Sequence, residues 1–256
     1  MKPNSQINFY GNKIIELGSI PSSNDFLKEL VSEKKIKKPQ AVITEFQTRG
    51  RGQRNKFWES KQGQNILWTS YWPTDISISK QGQILMKIAV SVQSFLDKLF
   101  QENEIQKQIK IKWPNDLYVD DSKIGGMLIE TSIQGDKISQ LFLGIGLNVL
   151  QTEFSKDVPN PSSLAIINPS IDWDRSQIIA NIASTLEQID FNTIGDDLKL
   201  RYEKNMYGIG KTVYLESKSY KVEGISELGY LRLKNDQEVI EVTSSNHLNW
   251  LKSILI

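Results

Sequence analysis

The sequence predicts an α+β protein in which a sheet packs against helices and a small β-barrel forms the C-terminal end. Short apolar runs with alternating side chains, bounded by turn residues, predict the strands. Apolar residues at helical spacing between Gln83 and Phe100 predict one long helix that packs into the core. Four more strand candidates follow Gly208, so we expect one domain over residues 1–207 and a barrel domain over 208–256.

Composition restricts the chemistry. Lys and Arg number 31 and Asp and Glu number 30, so no global charge draws the chain to nucleic acid or membrane. There is no cysteine and the only histidine is His247, which excludes thiol nucleophiles, disulfides and most catalytic triads. Chemistry that relies on Lys, Arg, backbone amides or an oxygen-ligated metal remains, with nucleotide phosphate chemistry the leading example. Without a long apolar run or a signal-peptide core, we expect a cytoplasmic protein.

The N-terminal part predicts a strand at 14–17 and then a helix with one apolar face. Ser22, Ser23 and Asn24 come just before the apolar residues of that helix. These side chains are typical helix N-caps, and they are also suited to face a ligand together with the exposed amides of the first turn. Both interpretations stay open at this point.

A buried strand candidate at 41–44 runs into a loop with a concentrated positive charge, which ends in Phe57-Trp58. A loop of glycines and cations presents several amides and charges at once, which suits a polyphosphate. A solvated surface loop or a nucleic-acid patch has the same composition, and no Walker P-loop motif occurs. The residues of this basic loop are Arg49, Arg51, Arg54 and Lys56, with Gly50 and Gly52 between them.

The central strands contain glycines where glycine weakens a sheet. Residues 66–72 predict a strand covered on both faces. Residues 109–130 predict two strands with a turn at 120–122, and residues 141–149 predict one further strand. If the second strand of 109–130 lies beside the strand at 141–149, the side chains missing at their glycines leave a flat slot for a narrow apolar ligand, with Lys123 at one end. Bulges or strand crossings are the alternative explanation. The glycines are Gly125, Gly126, Gly144 and Gly146.

The chain beyond Asn148 predicts a loop, a helix that begins at Asp174 and a second helix through Leu198 and Tyr202, before the C-terminal strands.

Five motifs stand out by their order and spacing. They are S-S-N at 22–24, Q-T-R-G-R-G-Q-R from 47, K-W-P-N-D at 112–116, K-I-G-G-M-L-I-E at 123–130 and G-I-G-L-N-V at 144–149.

In this combination the chain resembles the biotin protein ligases, also called biotin–acetyl-CoA-carboxylase ligases, of the monofunctional type. The resemblance implies the class II synthetase-like biotin/lipoate ligase fold, with a mixed, mostly antiparallel sheet and an SH3-like C-terminal barrel. The family's repressor members have an N-terminal DNA-binding domain. Only 21 residues precede Ser22, so we expect no transcriptional role.

The resemblance also implies activation of biotin by ATP and Mg²⁺ to biotinyl-5′-adenylate, with release of pyrophosphate. Biotin then passes to one lysine of a biotin carboxyl carrier domain. No tightly bound redox cofactor and no nucleic-acid or membrane partner are implied, and a homodimer stays open. A carboxylate that attacks a phosphate must overcome the repulsion of two anions, which a cationic loop and Lys123 can offset.

The resemblance assigns roles residue by residue. Catalysis falls to Lys123 and Arg51. Biotin contacts fall to Ser22, Ser23, Asn24, Gln47, Gly50, Arg51, Gly52, Gln53, Lys123, Gly126, Gly144 and Gly146. ATP or adenylate contacts fall to Arg51, Arg54, Lys56, Trp58, Lys112, Asn115, Lys123 and Asn148. Asn148 is also the candidate metal ligand, and Asp116 is interpreted as structural.

Two positions depart from the family pattern, because Gln53 and Asn55 stand where many members have arginine and glycine. Gln53 removes one positive charge, and we expect a weaker hold on the adenylate than in an arginine-bearing member. Two other functions compete with the ligase: a lipoate ligase-like enzyme on the same fold, and a sensor that binds biotin without turnover. Relatives with a cysteine nucleophile are excluded by composition.

Overall fold

The computed structural model describes residues 7–53, 56–245 and 248–250. Arg54, Asn55 and His247 lie outside the described residues. The helices are α1 (Ser23–Ser32), α2 (Gln81–Glu102), α3 (Leu164–Ile167), α4 (Arg175–Glu187) and α5 (Leu198–Lys204). The strands are β1 (Asn8–Phe9), β2 (Asn12–Lys13), β3 (Ile15–Ile20), β4 (Gln40–Gln47), β5 (Asn65–Ser77), β6 (Ile109–Lys112), β7 (Asp116–Val119), β8 (Ser122–Gln134), β9 (Lys137–Asn148), β10 (Thr212–Leu215), β11 (Lys218–Ile225), β12 (Leu231–Lys234), β13 (Val239–Val242) and β14 (Leu248–Asn249).

The central sheet has the strand order β3-β4-β5-β9-β8-β7-β6. Only the β3–β4 pair is parallel, and each other neighbouring pair is antiparallel. The predicted α+β class with a mixed, mostly antiparallel sheet is therefore confirmed. Strands β8 and β9 lie side by side, as the slot hypothesis requires.

The two faces of the sheet are covered by different helices. The long predicted helix is present as α2, whose apolar side packs into the main core together with α4 and α5. Helix α1 packs on the opposite face, where Leu27 and Val31 contact Tyr71 and Phe142. Residues of β5 alternate as predicted, with Trp68 in the main core and Tyr71 on the α1 face. The α1 face is the one that contains the cavity.

The prediction of two strands over residues 109–130 is wrong in one respect. The chain reverses after β6, which pairs antiparallel with β7 so that Ile109 faces Val119. Three strands therefore occupy this stretch, and the reversal spans residues 113–115. Pro114 has no backbone N–H to give to a ladder, so a strand cannot run through it unchanged. The Trp-Pro-Asn sequence was the available signal for this turn.

The four predicted C-terminal strands are confirmed as β10 to β13, in an antiparallel sheet of order β13-β12-β11-β10-β14. Closure of this sheet into a barrel and a boundary at residue 208 stay predictions. The turn between β11 and β12 abuts the start of α2, since a Cβ at Gly82 would lie 2.0 Å from the Leu228 carbonyl oxygen. Trp113 Nε1 donates to the Gly229 carbonyl at 2.9 Å. Among the helices of the described residues, none has the length and hydropathy that a membrane span requires.

Candidate active site

A cavity of about 930 Å³ opens on the α1 face of the central sheet. Side chains from α1, the basic loop and strands β4 to β9 line it, together with the loop after β9. Nearly all predicted site residues are brought together here. The cavity is lined by Ser22, Ser23, Asn24, Gln47, Arg51, Gly52, Gln53, Lys56, Trp58, Lys112, Asn115, Lys123, Gly126, Gly144, Gly146 and Asn148. Gly50 lies beneath the backbone of Trp58, and Arg54 is outside the described residues.

The capping interpretation is confirmed for Ser22, whereas contact of Ser23 and Asn24 with a ligand stays a prediction. Ser22 is the N-cap of α1, and its Oγ accepts a hydrogen bond from the Asp25 amide at 3.3 Å. Ser23 and Asn24 belong to the first turn of the helix, and their buried side chains face the cavity. One residue caps the helix, and the next two are available to a ligand.

Buried polar side chains form a hydrogen-bonded chain at the α1 end of the cavity. Gln47 Oε1 accepts from the Ser23 amide at 2.8 Å and from Ser23 Oγ at 3.0 Å. Ser23 Oγ lies 2.7 Å from Thr69 Oγ1, which donates to Asn24 Oδ1 at 2.6 Å. This end of the cavity therefore offers donors and acceptors that are already oriented by one another.

The glycine slot is present in the sheet. Gly126 of β8 is directly opposite Gly146 of β9, and Gly144 lies on the same face two residues earlier. A Cβ at Gly144 would lie 2.9 Å from Asn24 Oδ1, so the polar chain borders the slot. Gly125 does not belong to the slot, because a Cβ there would meet the side chains of Leu117 and Leu147. Three glycines, rather than four, form this glycine floor: Gly126, Gly144 and Gly146.

The indole of Trp58 lies on the glycine floor. A Cβ at Gly146 would be 2.4 Å from Trp58 Cε2, and one at Gly126 would be 3.4 Å from Trp58 Cζ3. The basic loop folds back on itself to place this ring, with the Trp58 amide donating to the Gly50 carbonyl at 2.9 Å. The slot is thus covered by an aromatic side chain, and a flat ligand would share the floor with the indole.

Lys123 lies at the other end of the glycine floor, as predicted. Its Nζ is 2.7 Å from Asp116 Oδ1 and 5.4 Å from the centre of the Trp58 ring. The Lys123 side chain remains 24% exposed, so the ammonium keeps access to the cavity. Asp116, which the sequence analysis interprets as structural, is the ion-pair partner of this cation.

Lys112 lies in an aromatic cage. Its Nζ is 4.7 Å from the ring centre of Tyr118, 5.7 Å from that of Tyr207 and 5.6 Å from that of Trp250. Burial lowers the pKa of Lys112; Asp116 opposes that shift and Lys123 adds to it. Because Trp250 follows β14, the C-terminal sheet supplies part of the wall around this lysine.

Arg51 is engaged with carboxylates. Its Nη2 lies 2.7 Å from Asp25 Oδ1 and 3.4 Å from Glu130 Oε2. Glu130 also pairs with Lys28 at 2.8 Å. Burial raises the pKa of Glu130, but the bond to Lys28, the Asn24 amide and Arg51 outweigh it and hold the pKa below the usual glutamate range. The Arg51 guanidinium is thus paired with two carboxylates, and its catalytic role stays a prediction.

Two asparagines at the cavity are partly committed to the backbone. The Asn115 side chain donates to the Met127 carbonyl, and the Asn148 side chain donates to the Ser162 carbonyl at 2.9 Å. Asn148 Oδ1 is buried without a hydrogen-bond partner in the described structure. The described residues contain no cluster of three His, Cys, Asp or Glu side chains suited to a metal. An Mg²⁺ ion held mainly by nucleotide phosphates, with Asn148 Oδ1 as one protein oxygen, fits this donor set.

Sequence reasoning missed several residues of the site. Thr69 lies within the strand predicted at 66–72 but was given no role, and Glu130 was noted only as the end of a motif. Phe154 and Val158, in the loop after β9, also line the cavity. The alternation of β5 could have indicated Thr69, because it puts this hydroxyl on the same strand face as Leu67 and Tyr71.

A known protein family and several characterised proteins are similar to this chain. The model of the biotin/lipoate A/B protein ligase family matches residues 17–148. The bifunctional ligase/repressor BirA of Escherichia coli is 27% identical over 234 residues, which is 88% of this chain and 70% of that protein. The biotin–[acetyl-CoA-carboxylase] ligase of Mycobacterium tuberculosis is 27% identical over 182 residues, 68% of this chain and 64% of that protein.

Among solved structures, the biotin protein ligase from Aquifex aeolicus in complex with biotin and ATP has a TM-score of 0.71 and 23% sequence identity. The alignment covers 92% of this chain and 97% of that one. At this level of identity the likeness establishes the fold alone.

Proposed function

This chain belongs to the biotin/lipoate A/B protein ligase family, and we propose that it is an ATP-dependent biotin protein ligase. It forms biotinyl-5′-adenylate and transfers biotin to a lysine of a biotin carboxyl carrier domain. The names of its relatives support the ligase class, and the cavity supports the choice of biotin.

The polar chain at the α1 end of the glycine floor is the observation that carries this proposal. The head of biotin is a ureido group with two N–H donors and one carbonyl acceptor, whereas the dithiolane of lipoate has no such groups. Ser23, Gln47, Thr69 and Asn24 place buried hydroxyl and amide groups at this end. These hydroxyl and amide groups have more donor and acceptor positions than the bonds within the chain use. A ureido head can pair with the remaining positions, whereas an apolar head would bury them without a partner, so this pocket favours a polar head.

In the first step, a carboxylate oxygen of biotin attacks the α-phosphorus of ATP. A phosphorus–oxygen bond forms, the bond to the β-phosphate bridging oxygen breaks, and pyrophosphate leaves. Lys123 is placed at the far end of the floor from the polar chain, where the biotin tail would end. Its ammonium reduces the repulsion between the two anions, and Asp116 keeps it oriented without removing its access to the cavity.

In the second step, the amine of an acceptor lysine attacks the acyl carbon of the adenylate. The bond from that carbon to the phosphate oxygen breaks, AMP leaves, and the amine loses a proton as the amide forms. Trp58 and the basic loop cover the floor and limit water near the mixed anhydride. Lys112 and Lys56 contribute positive charge near the nucleotide. Mg²⁺, when bound, neutralises phosphate charge, with Asn148 as the protein oxygen donor.

Biotin-dependent release of pyrophosphate from ATP tests the proposal. We expect release with biotin and Mg²⁺, and at least tenfold less with lipoate at equal concentration, because the dithiolane of lipoate cannot pair with the donor and acceptor positions that the polar chain leaves over. Preferential release with lipoate would assign the chain to the lipoate branch. Tight binding of biotin without release would identify a sensor.

A further inference from the structure

Lys123 lies just beyond the point where β9 stops pairing with β8. The ladder between these two strands ends at Gly125, so β9 leaves one backbone edge of Lys123 open. Another part of the chain covers that edge. The Lys123 amide donates to the Asn160 carbonyl at 2.7 Å, and the Lys123 carbonyl accepts from the Ser162 amide at 2.8 Å. Residues 160–162, which we call the anchor segment, thus take the place of a strand beside Lys123.

The anchor segment also contacts Asn148, at the end of β9. Asn148 Nδ2 donates to the Ser162 carbonyl at 2.9 Å, so the nitrogen of this side-chain amide is committed to the segment. Its oxygen, Oδ1, is buried without a hydrogen-bond partner among the described residues and is left for a ligand of the cavity. Ser162 therefore bonds to two of the predicted nucleotide-binding residues, through its amide to Lys123 and through its carbonyl to Asn148.

The conformation of the anchor segment is set at its two ends. Asn160 has a φ of +45°, in the left-handed region that asparagine adopts more readily than most residues and that β-branched residues avoid. The residue is exposed, so its contribution lies in its backbone rather than in side-chain packing. At the other end, Ser163 is buried and its Oγ accepts from the Ile166 amide at 3.2 Å, which caps α3. The segment is thereby held between a turn at Asn160 and a capped helix.

We propose that the anchor segment is a positioning device for adenylate formation, with Asn160 and Ser162 as positioning residues. The segment holds the Lys123 backbone and the Asn148 side chain at once. It thereby fixes an ammonium that faces the reacting carboxylate and phosphate relative to an amide oxygen that faces the phosphates or their Mg²⁺. The role in adenylate formation rests on the proposed ligase function, whereas the hold on Lys123 and Asn148 rests on the contacts alone.

Amide hydrogen exchange followed by NMR tests the hold on Lys123 without reference to activity. The Lys123 amide is the donor to Asn160, so its exchange rate reports how often that bond opens. We expect Asn160→Val to raise this rate about tenfold or more, because valine is strained at positive φ, and Asn160→Gly to stay within about twofold of the wild type. The side-chain amide signals of Asn148 should shift in Asn160→Val alone.

Glu104→Val is the matched control. Glu104 is also exposed and has a φ of +56° just after α2, and it does not line the cavity. Valine imposes the same kind of backbone strain there, so both substitutions should lower the free energy of unfolding to a similar extent. We expect Glu104→Val to leave the exchange of the Lys123 amide and the Asn148 signals unchanged. The control thereby separates loss of the anchor segment from a general loss of stability.

Steady-state release of pyrophosphate tests the role in adenylate formation. We expect kcat to fall about tenfold in Asn160→Val with little change in KM for biotin, because the biotin head would bind at the other end of the glycine floor. Asn160→Gly should restore kcat, and Glu104→Val should keep it.

Unchanged exchange of the Lys123 amide in Asn160→Val would overturn the hold on Lys123. Faster exchange with the wild-type kcat would overturn the positioning role. An equal loss of kcat in Asn160→Gly would overturn it as well, because the side chain rather than the backbone conformation would then be required. If the wild-type protein releases no pyrophosphate, the ligase proposal fails, and the exchange result still decides whether the segment holds Lys123.

Discussion

Substitution of Gly146 by alanine tests the glycine floor more sharply than any other single change. Gly146 has ordinary strand backbone and lies between β5 and β8, so only its missing side chain distinguishes it. The new Cβ would lie 2.4, 2.5 and 2.9 Å from three atoms of the Trp58 indole. Carbon atoms in contact are normally ~3.5–4.0 Å apart, so the indole must retreat by about 1 Å or more.

The magnitude follows from two opposing effects. Overpacking of this kind costs about 1–3 kcal/mol. Alanine in a strand gains ~0.5–1 kcal/mol over glycine when no neighbour is in the way. In a Trp58→Ala background the indole is absent, and Gly146→Ala should then be neutral or slightly stabilising. Gly18→Ala is the control, because Gly18 is also in a strand and a Cβ there would have nothing within 4 Å.

The assay is urea unfolding followed by far-UV circular dichroism, with biotin-dependent pyrophosphate release measured on the same variants. We expect Gly146→Ala to lower the free energy of unfolding in the wild-type background but not in the Trp58→Ala background. Pyrophosphate release should be lost whenever Gly146→Ala is present, because the new Cβ lies on the glycine floor in both backgrounds. If Gly146→Ala changed the free energy of unfolding equally in the wild-type and Trp58→Ala backgrounds, the position of the Trp58 indole on the glycine floor would be contradicted. Wild-type activity of Gly146→Ala would contradict the floor as the ligand site.

Three further predictions concern the cations and the loop. Lys123→Ala should fold normally, but its pyrophosphate release should fall about a hundredfold or more. Lys61→Ala, which breaks an exposed ion pair with Glu153, should keep both the fold and the activity. Full activity of the Lys123 variant would refute the role of Lys123. Gln53→Arg should slow the release of bound adenylate, as measured by filter binding, and equal rates would remove the argument from lost charge. The lowered pKa of Lys112 means that folding disfavours its charged form. The stability of the wild type relative to Lys112→Met should therefore rise as pH increases from the lowered pKa through the ordinary value of 10.5. A stability difference in urea unfolding that does not change with pH would contradict the burial effect.

Local patterns in the sequence were sufficient where they reflect one element and its neighbours. The alternation of residues 66–72 placed β5 correctly, and the strand glycines placed the floor, because missing side chains in adjacent strands have a direct geometric consequence. The same logic erred at Gly125, because neighbouring residues of a strand point to opposite faces of the sheet and Gly126 is the one on the slot face.

Contacts between distant segments could not be predicted in this way. Arg51 and Glu130 are 79 residues apart, and neither local sequence indicates that the other is its partner. The resemblance assigned Arg51 to catalysis, which stays a prediction, and the composition of the basic loop does not indicate a carboxylate partner. The cage of Lys112 depends on Trp250, which reaches it only through the packing of the C-terminal sheet. Both features arise from tertiary structure, which propensity and spacing do not contain.

The most direct test of the proposed function is the mass of an acceptor carrier domain after incubation with this protein, biotin, ATP and Mg²⁺. We predict the addition of one biotinyl group to one lysine, dependent on ATP and abolished by Lys123→Ala. An unmodified carrier, with biotin tightly bound to the protein, would contradict the ligase assignment. Modification by lipoate in preference to biotin would contradict the head-group argument drawn from Ser23, Gln47 and Thr69.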